Sequence, residues 1–171
     1  MYANNVLPNA MIEVGSHHKP YAVTTISKDG QRTTRDSFKS PSEASRYALT
    51  QLDAGYQIEV GEMQIPSIWF ETWRARGAKM SDFFLPCKNI VMGTDILNQT
   101  ATSCALKEHA HACMLSIYKT GSPTEGLDYA RTVLDYAKSH PLETNENPQN
   151  KVAGSTISEI AKSLPLPTFG D

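Results

Sequence analysis

Prolines and glycines divide the first 140 residues into short segments with helical patterns, and the positions of these helix-breaking residues constrain the fold more than any other feature. Ser40-Pro41-Ser42-Glu43 combines a serine cap with proline and glutamate at the first and third helical positions, which is a capping box. Ser122-Pro123-Thr124-Glu125 repeats the pattern, and Gly15 and Gly55 follow apolar segments, where glycine favours a helix end. These helix start and stop signals therefore predict a mainly α domain.

The spacing of apolar residues places these helices along the chain. We predict helices over residues 6–14, 41–55, 66–77, 86–97, 101–118 and 123–137. Two segments rich in β-branched residues, 21–27 and 31–38, flank the turn Lys28-Asp29-Gly30 and predict one small β-hairpin. The expected fold class is mainly α (α+β), with the rest of the domain helical.

The character of the chain changes after His140. Residues 141–154 are polar and contain few apolar side chains, which is typical of a flexible segment. Residues 155–164 could form one short amphipathic helix. We therefore predict a domain over residues 1–140 and a polar tail over residues 141–171.

The length and charge of the chain limit its function classes. A chain of 171 residues predicts one domain. With 16 basic and 18 acidic residues and no basic cluster, nucleic acid is not an expected partner. No apolar run of about 18 residues is present, so no membrane span is expected. The first five residues lack the features of a signal peptide, which predicts either a cytosolic protein or an exported one whose signal is not part of this sequence.

The three cysteines do not have the spacing of a zinc site. Cys104 and Cys113 are nine positions apart on one predicted helix, where the rise of about 1.5 Å per residue separates them by about 13 Å, too far for a disulfide. A bridge from Cys87 to either one stays open, and buried free thiols are the favoured interpretation. His109 and His111 would lie on different helix faces, so no metal site is expected.

Three segments contain residues suited to glycoside cleavage. Glu13 follows an apolar helix, a setting that favours a protonated carboxylic acid for donation to a departing oxygen. In Gly61-Glu62-Met63-Gln64-Ile65, Gln64 can donate and accept hydrogen bonds, and Met63 offers an adaptable apolar surface. The Tyr118 hydroxyl could reach the acid or the sugar, and Thr120 would turn the chain beside it. Each residue alone has an ordinary structural interpretation.

Together, these segments resemble a known family. The chain, over roughly residues 5–138, is similar to the lytic transglycosylases of type IV secretion and conjugation systems, which have a lysozyme-like fold. The resemblance rests on five blocks in order: Glu13-Val14-Gly15 with Pro20-Tyr21-Ala22-Val23; Gly61-Glu62-Met63-Gln64-Ile65; Pro86-Cys87-Lys88-Asn89-Ile90 with Ile96-Leu97; Leu115-Ser116-Ile117-Tyr118-Lys119-Thr120-Gly121; and Gly126-Leu127-Asp128-Tyr129-Ala130.

The resemblance implies a periplasmic enzyme that cuts the β-1,4 bond between N-acetylmuramic acid and N-acetylglucosamine in peptidoglycan. Glu13 would be the catalytic acid, and no metal or cofactor would take part. The residues implied to contact or position the substrate are Ser16, Glu62, Met63, Gln64, Tyr118 and Thr120. The implied partners are peptidoglycan glycan strands and, through the tail, components of a secretion or conjugation apparatus.

The chain also departs from the family pattern. Val14 stands where serine usually follows the glutamate, and Lys119 stands where asparagine usually follows the tyrosine. Ser16 could replace the missing hydroxyl. Glu62 could instead activate water, which would make the protein a hydrolytic muramidase. The departures also leave open a non-catalytic peptidoglycan-binding or scaffold protein of the same fold.

Overall fold

A computed structural model describes residues 6–141, and these fold into six α-helices and a small antiparallel sheet. The helices are α1 (Val6–Gly15), α2 (Pro41–Asp53), α3 (Phe70–Arg74), α4 (Pro86–Cys104), α5 (Ala110–Thr120) and α6 (Leu127–Ser139). Short 3-10 segments at Ser67–Trp69 and Met80–Phe84 precede α3 and α4. The prediction of a mainly helical α+β protein is confirmed.

The sheet has four strands in the order β2-β1-β3-β4, all antiparallel. The strands are β1 (Val23–Ile26), β2 (Arg32–Arg35), β3 (Gln57–Val60) and β4 (Ile65–Pro66). The predicted hairpin is confirmed as β1 and β2. The expectation that the rest is helical is wrong, because β3 pairs with the open edge of β1 and then turns through residues 61–64 into β4. The residues of β3 do alternate between polar and apolar, but a segment of only four residues gives little local signal.

The predicted start of α2 is confirmed, but the second capping box does not start a helix. The Ser40 hydroxyl accepts from the Glu43 amide at 3.2 Å, and Pro41 is the first helical residue. Ser122, in contrast, accepts from the amides of residues 124 and 125 at 3.4 Å each in a turn, and α6 begins only at Leu127. The Gly126 amide before it donates to the Ser116 hydroxyl of α5, which ties this turn to the core.

The predicted helix over residues 101–118 is also wrong. The chain leaves α4 at Cys104 and enters α5 at Ala110, with an exposed link between them. This break brings the Cα atoms of Cys104 and Cys113 to 6.0 Å, and the two residues form a disulfide. The inference that these cysteines lie too far apart is therefore overturned, since it assumed one continuous helix. Cys87 is free and exposed.

The core lies where α1, α4, α5 and α6 pack together and meet the sheet. Its largest fully buried side chains include Met11 of α1, Tyr118 of α5 and Met63 of the turn between β3 and β4. No helix of residues 6–141 has the length and apolar character needed to cross a membrane. The predicted tail, with its possible helix at 155–164, lies outside the described residues except for Pro141.

Candidate active site

Glu13 lies in the last turn of α1, at the rim of the core. The residues before it, Ala10, Met11 and Ile12, are buried, so this part of the helix has an apolar setting. The Glu13 side chain itself retains 32% of its accessible surface. The carboxylate is thus anchored on a rigid element and still open to a ligand.

A tight turn after α1 brings a histidine to this carboxylate. The amides of Ser16 and His17 both donate to the carbonyl of Ile12, at 3.0 and 2.9 Å. His17 and His18 then adopt left-handed φ angles of 51° and 59°. As a result, Nε2 of His18 lies 2.7 Å from Oε1 of Glu13. The sequence predicted only a loop here, and it gave no sign that His18 would be the partner of Glu13.

Gln64 occupies the turn between β3 and β4 and is almost fully buried. Its Oε1 accepts from the Thr24 hydroxyl at 2.6 Å. Its Nε2 donates to the carbonyls of Gly61 at 2.8 Å and Ala22 at 3.3 Å. Both ends of the amide are therefore committed within the protein, and the side chain is held in one orientation.

The same glutamine packs against the end of α1. A Cβ atom added to Gly15 would lie 3.0 Å from Cγ of Gln64, so the glycine permits a close approach. Gln64 also has a positive φ, of 48°. Within residues 6–141, the non-glycine residues with positive φ are His17, His18 and Gln64, and all three border the segment around Glu13. Such backbone strain persists where the surroundings impose it, and it tends to cluster at functional sites.

Asn89 of α4 fixes the turn between β3 and β4 through its side-chain amide. Its Oδ1 accepts from the Met63 amide at 2.8 Å, and its Nδ2 donates to the carbonyls of Phe83 at 2.7 Å and Val60 at 3.1 Å. Gly61, with φ of 75°, leaves room for this amide, because a Cβ there would lie 2.1 Å from Nδ2. Asparagine at this position belongs to a block that the resemblance includes, but its role comes from the structure alone.

Tyr118 supports the same turn from α5. Its hydroxyl donates to the Met63 carbonyl at 3.0 Å, and both side chains are completely buried. Burial raises the pKa of Tyr118 well above its usual value, so the hydroxyl remains a donor. The structure thus links the Met63-Gln64 segment to Tyr118 on one side and to the end of α1 on the other.

The remaining predicted site residues differ in their exposure. Ser16 is buried, and its hydroxyl donates to the Ile12 carbonyl at 3.3 Å. The Thr120 hydroxyl donates to the Ser116 carbonyl at 2.9 Å in the last turn of α5. Glu62 is half-buried in the turn beside Met63. Ser16 and Thr120 therefore use their hydroxyls within the local backbone.

Lys119, a departure from the family pattern, belongs to a partly buried charge cluster that the sequence did not predict. Its Nζ lies 2.6 Å from Oε2 of Glu59 and 4.5 Å from the centre of the Tyr129 ring. Arg32 pairs with the same Glu59 oxygen. Burial lowers the pKa of Lys119, while Glu59 opposes that change, and burial raises the pKa of Tyr129. One buried carboxylate thus balances two cations.

Comparison of the chain with protein-family models, curated proteins and solved structures finds no match. Within residues 6–141, no group of three His, Cys, Asp or Glu side chains is arranged to hold a metal ion. Among the described residues, Glu13 and the side chains around it form the candidate active site.

Proposed function

We propose that this protein is a peptidoglycan lytic transglycosylase with a lysozyme-like fold. One observation carries the proposal: a partly exposed glutamate at the end of an apolar helix, paired with His18 and flanked by the locked Gln64. The acid is accessible, its surroundings are rigid, and unusual backbone conformations cluster around it. Rigid support of this kind is what a catalytic side chain needs to hold a productive geometry.

The chemistry needs a single carboxyl group. Protonated Glu13 would donate its proton to the glycosidic oxygen as the bond to C1 of the muramyl residue breaks. The resulting carboxylate would then take the proton of the C6 hydroxyl while O6 closes on C1. The product is a 1,6-anhydro sugar, and no water is consumed because the nucleophile belongs to the substrate.

His18 suits both charge states of the acid. An imidazole that carries its proton on Nε2 donates to Oε1 of Glu13 whether or not Oε2 is protonated, so Oε2 can release its proton to the glycosidic oxygen and later take one from the C6 hydroxyl. The 2.7 Å separation fits this bond. We therefore include His18 in the proposal as a positioning residue that holds the carboxyl group through the proton transfers.

The proposed substrate-binding residues have three different roles. Met63, Gln64 and Tyr118 are buried, and in this proposal they act by holding the wall of the site beside Glu13. Glu62 and Thr120 are only partly buried and would face the glycan. Ser16 would stabilise the turn that presents His18.

The proposed setting is the periplasm, where the enzyme would open the cell wall locally for a type IV secretion or conjugation apparatus. The disulfide between Cys104 and Cys113 supports an oxidising compartment, since such bonds are rare in the cytosol. Residues 141–171 would dock to a component of the apparatus. Deleting them should leave cleavage intact and weaken transport, and loss of folding would argue against this assignment.

The decisive experiment compares wild type with Glu13→Gln on purified peptidoglycan. We expect wild type to release fragments with 1,6-anhydromuramyl ends, measured by mass spectrometry, and the variant to lose this activity by about a hundredfold or more. Glu125→Gln, at an exposed site in the turn before α6, is the matched control and should retain full activity.

Two other outcomes would favour the rival functions. Reducing muramyl ends, lost in Glu62→Gln, would identify a hydrolytic muramidase. Equal signals from wild type and Glu13→Gln would leave a non-catalytic peptidoglycan-binding protein. The complete internal use of the Gln64 amide is the observation that favours this last alternative.

A further inference from the structure

A depression of about 280 Å³ lies between the β1–β2 hairpin and α2. Its lining combines three hydroxyl groups, two side-chain amides and two tyrosine rings, and none of these side chains is charged. The residues are Thr25, Ser27, Gln31, Thr33, Tyr47, Gln51 and Tyr56. None of them belongs to the candidate active site.

The depression is on the opposite face of the sheet from Gln64. Neighbouring residues of a strand point to opposite faces, so Thr24 and Thr25 diverge. Thr24 bonds to Gln64, whereas Thr25 is paired with Thr33 of β2 and faces α2, where its hydroxyl lies 3.4 Å from Oε1 of Gln51. A ligand in the depression is therefore separated from Glu13 by the sheet.

Several polar groups in the depression have no partner among residues 6–141. The Thr33 and Tyr56 hydroxyls make no side-chain hydrogen bond there, and Nε2 of Gln51 is also uncommitted. Tyr56 is 40% exposed. Tyr47, in contrast, is held in place, because its ring packs against another aromatic side chain and a guanidinium group. The depression therefore offers an ordered ring, an open ring and free donors and acceptors.

We propose that this depression binds a neutral saccharide unit, namely an N-acetylhexosamine of a glycan strand. A sugar presents hydroxyl and amide groups to match the free polar groups, and its apolar ring face suits a tyrosine. The lining side chains are uncharged, and the charges that adjoin them, Arg35 against Tyr47 and Asp29 at Ser27, are of opposite sign, so the depression offers no net charge to an ionic ligand. The identification of the polymer as peptidoglycan rests on the proposed function, but the saccharide specificity does not. A strand bound here would tether the protein to the wall without being cut.

The test uses the full chain with Glu13→Gln, so that no ligand is consumed, and chitotetraose as the probe. Titration followed by NMR should shift the side-chain amide signals of Gln31 and Gln51. Tyr56→Ala should weaken binding at these signals about fivefold or more, through loss of the open ring. Thr50→Ala, at an exposed site of α2, is the control and should leave the dissociation constant unchanged.

The proposal fails if chitotetraose shifts no signal around α2, or if Tyr56→Ala and the control bind equally. It also fails if a muropeptide stem without sugar binds there as well as chitotetraose does. Tyr56→Ala, when made in the protein that retains Glu13, should cleave short glycans as well as wild type does. If the protein that retains Glu13 cleaves no glycan but still binds saccharide at α2, the proposed function is refuted and this site stands.

Discussion

Replacing Asn89 by alanine should destabilise the protein strongly, although the residue is not among the proposed substrate contacts. Its side chain is completely buried and satisfies three backbone groups: the Met63 amide and the carbonyls of Val60 and Phe83. Each buried group left without a partner costs about 1–3 kcal/mol. Because a water molecule can enter the space and satisfy part of the set, we expect a total loss of about 3–5 kcal/mol.

Urea unfolding followed by circular dichroism measures this loss. With a slope of about 2 kcal/mol per molar urea, the midpoint should fall by about 2 M. Asn98→Ala on the exposed side of the same helix is the control, and it should change stability by less than about 0.5 kcal/mol.

A second variant separates lost hydrogen bonds from a lost volume. Asn89→Asp keeps the size and shape of the side chain but places an oxygen opposite the carbonyls of Val60 and Phe83. It should therefore be at least as destabilising as Asn89→Ala at neutral pH. The reasoning would be refuted if Asn89→Ala lost less than about 1 kcal/mol, or if Asn89→Asp unfolded like wild type.

Three further perturbations test other parts of the structure. Above pH 10 the unfolded chain releases the protons of Tyr118 and Tyr129, whose pKa values burial raises in the folded state, so stability should fall by up to about 1.4 kcal/mol per pH unit for each ring. Below about pH 10.5 the lowered pKa of Lys119 makes stability rise with pH, but this is the effect of one proton against the two of the tyrosines. Tyrosinate absorbance should therefore rise together with loss of the helical signal. Ionisation of the tyrosines with the helices intact would contradict this prediction. His18→Ala should reduce cleavage about tenfold or more and change stability by less than about 1 kcal/mol, whereas the same change at the preceding histidine should preserve activity. Cys104→Ala should lower the free energy of unfolding by about 2–3 kcal/mol and abolish the effect of reductant, so a variant as stable as oxidised wild type would argue against the disulfide.

The sequence predicted α1, α2 and the hairpin well, because their signals are local. Pro41 and the Ser40 cap act within one turn of α2, and the Lys28-Asp29-Gly30 turn joins two short β-branched segments. The prediction from sequence failed at residues 105–109, where no proline or glycine marks the break between α4 and α5. The error carried over to the cysteines, since the wrong helix implied the wrong distance.

The residues of the candidate site also divide into those that the sequence predicted and those that only the structure revealed. Glu13 and the Met63-Gln64 segment were predicted as site residues from their residue types and from the order of the blocks that carry the resemblance, and they stay a prediction. The partners that hold them were not found, because nothing in the sequence near His18 or Asn89 indicates which group each will bond. Lys119 was interpreted as a lost asparagine, whereas the structure gives it a buried carboxylate at Glu59.

The sequence by itself determined the helices that carry their own start and stop signals, the hairpin, and the place of Glu13 at a helix end. Only the tertiary structure decided the strand β3, the break before α5 and the surroundings of the acid. The physical reason is the range of the interactions involved. A cap acts over three or four residues, whereas Thr24 and Gln64 are 40 positions apart and Met63 and Tyr118 are 55 apart, and such pairs meet only when the whole core packs.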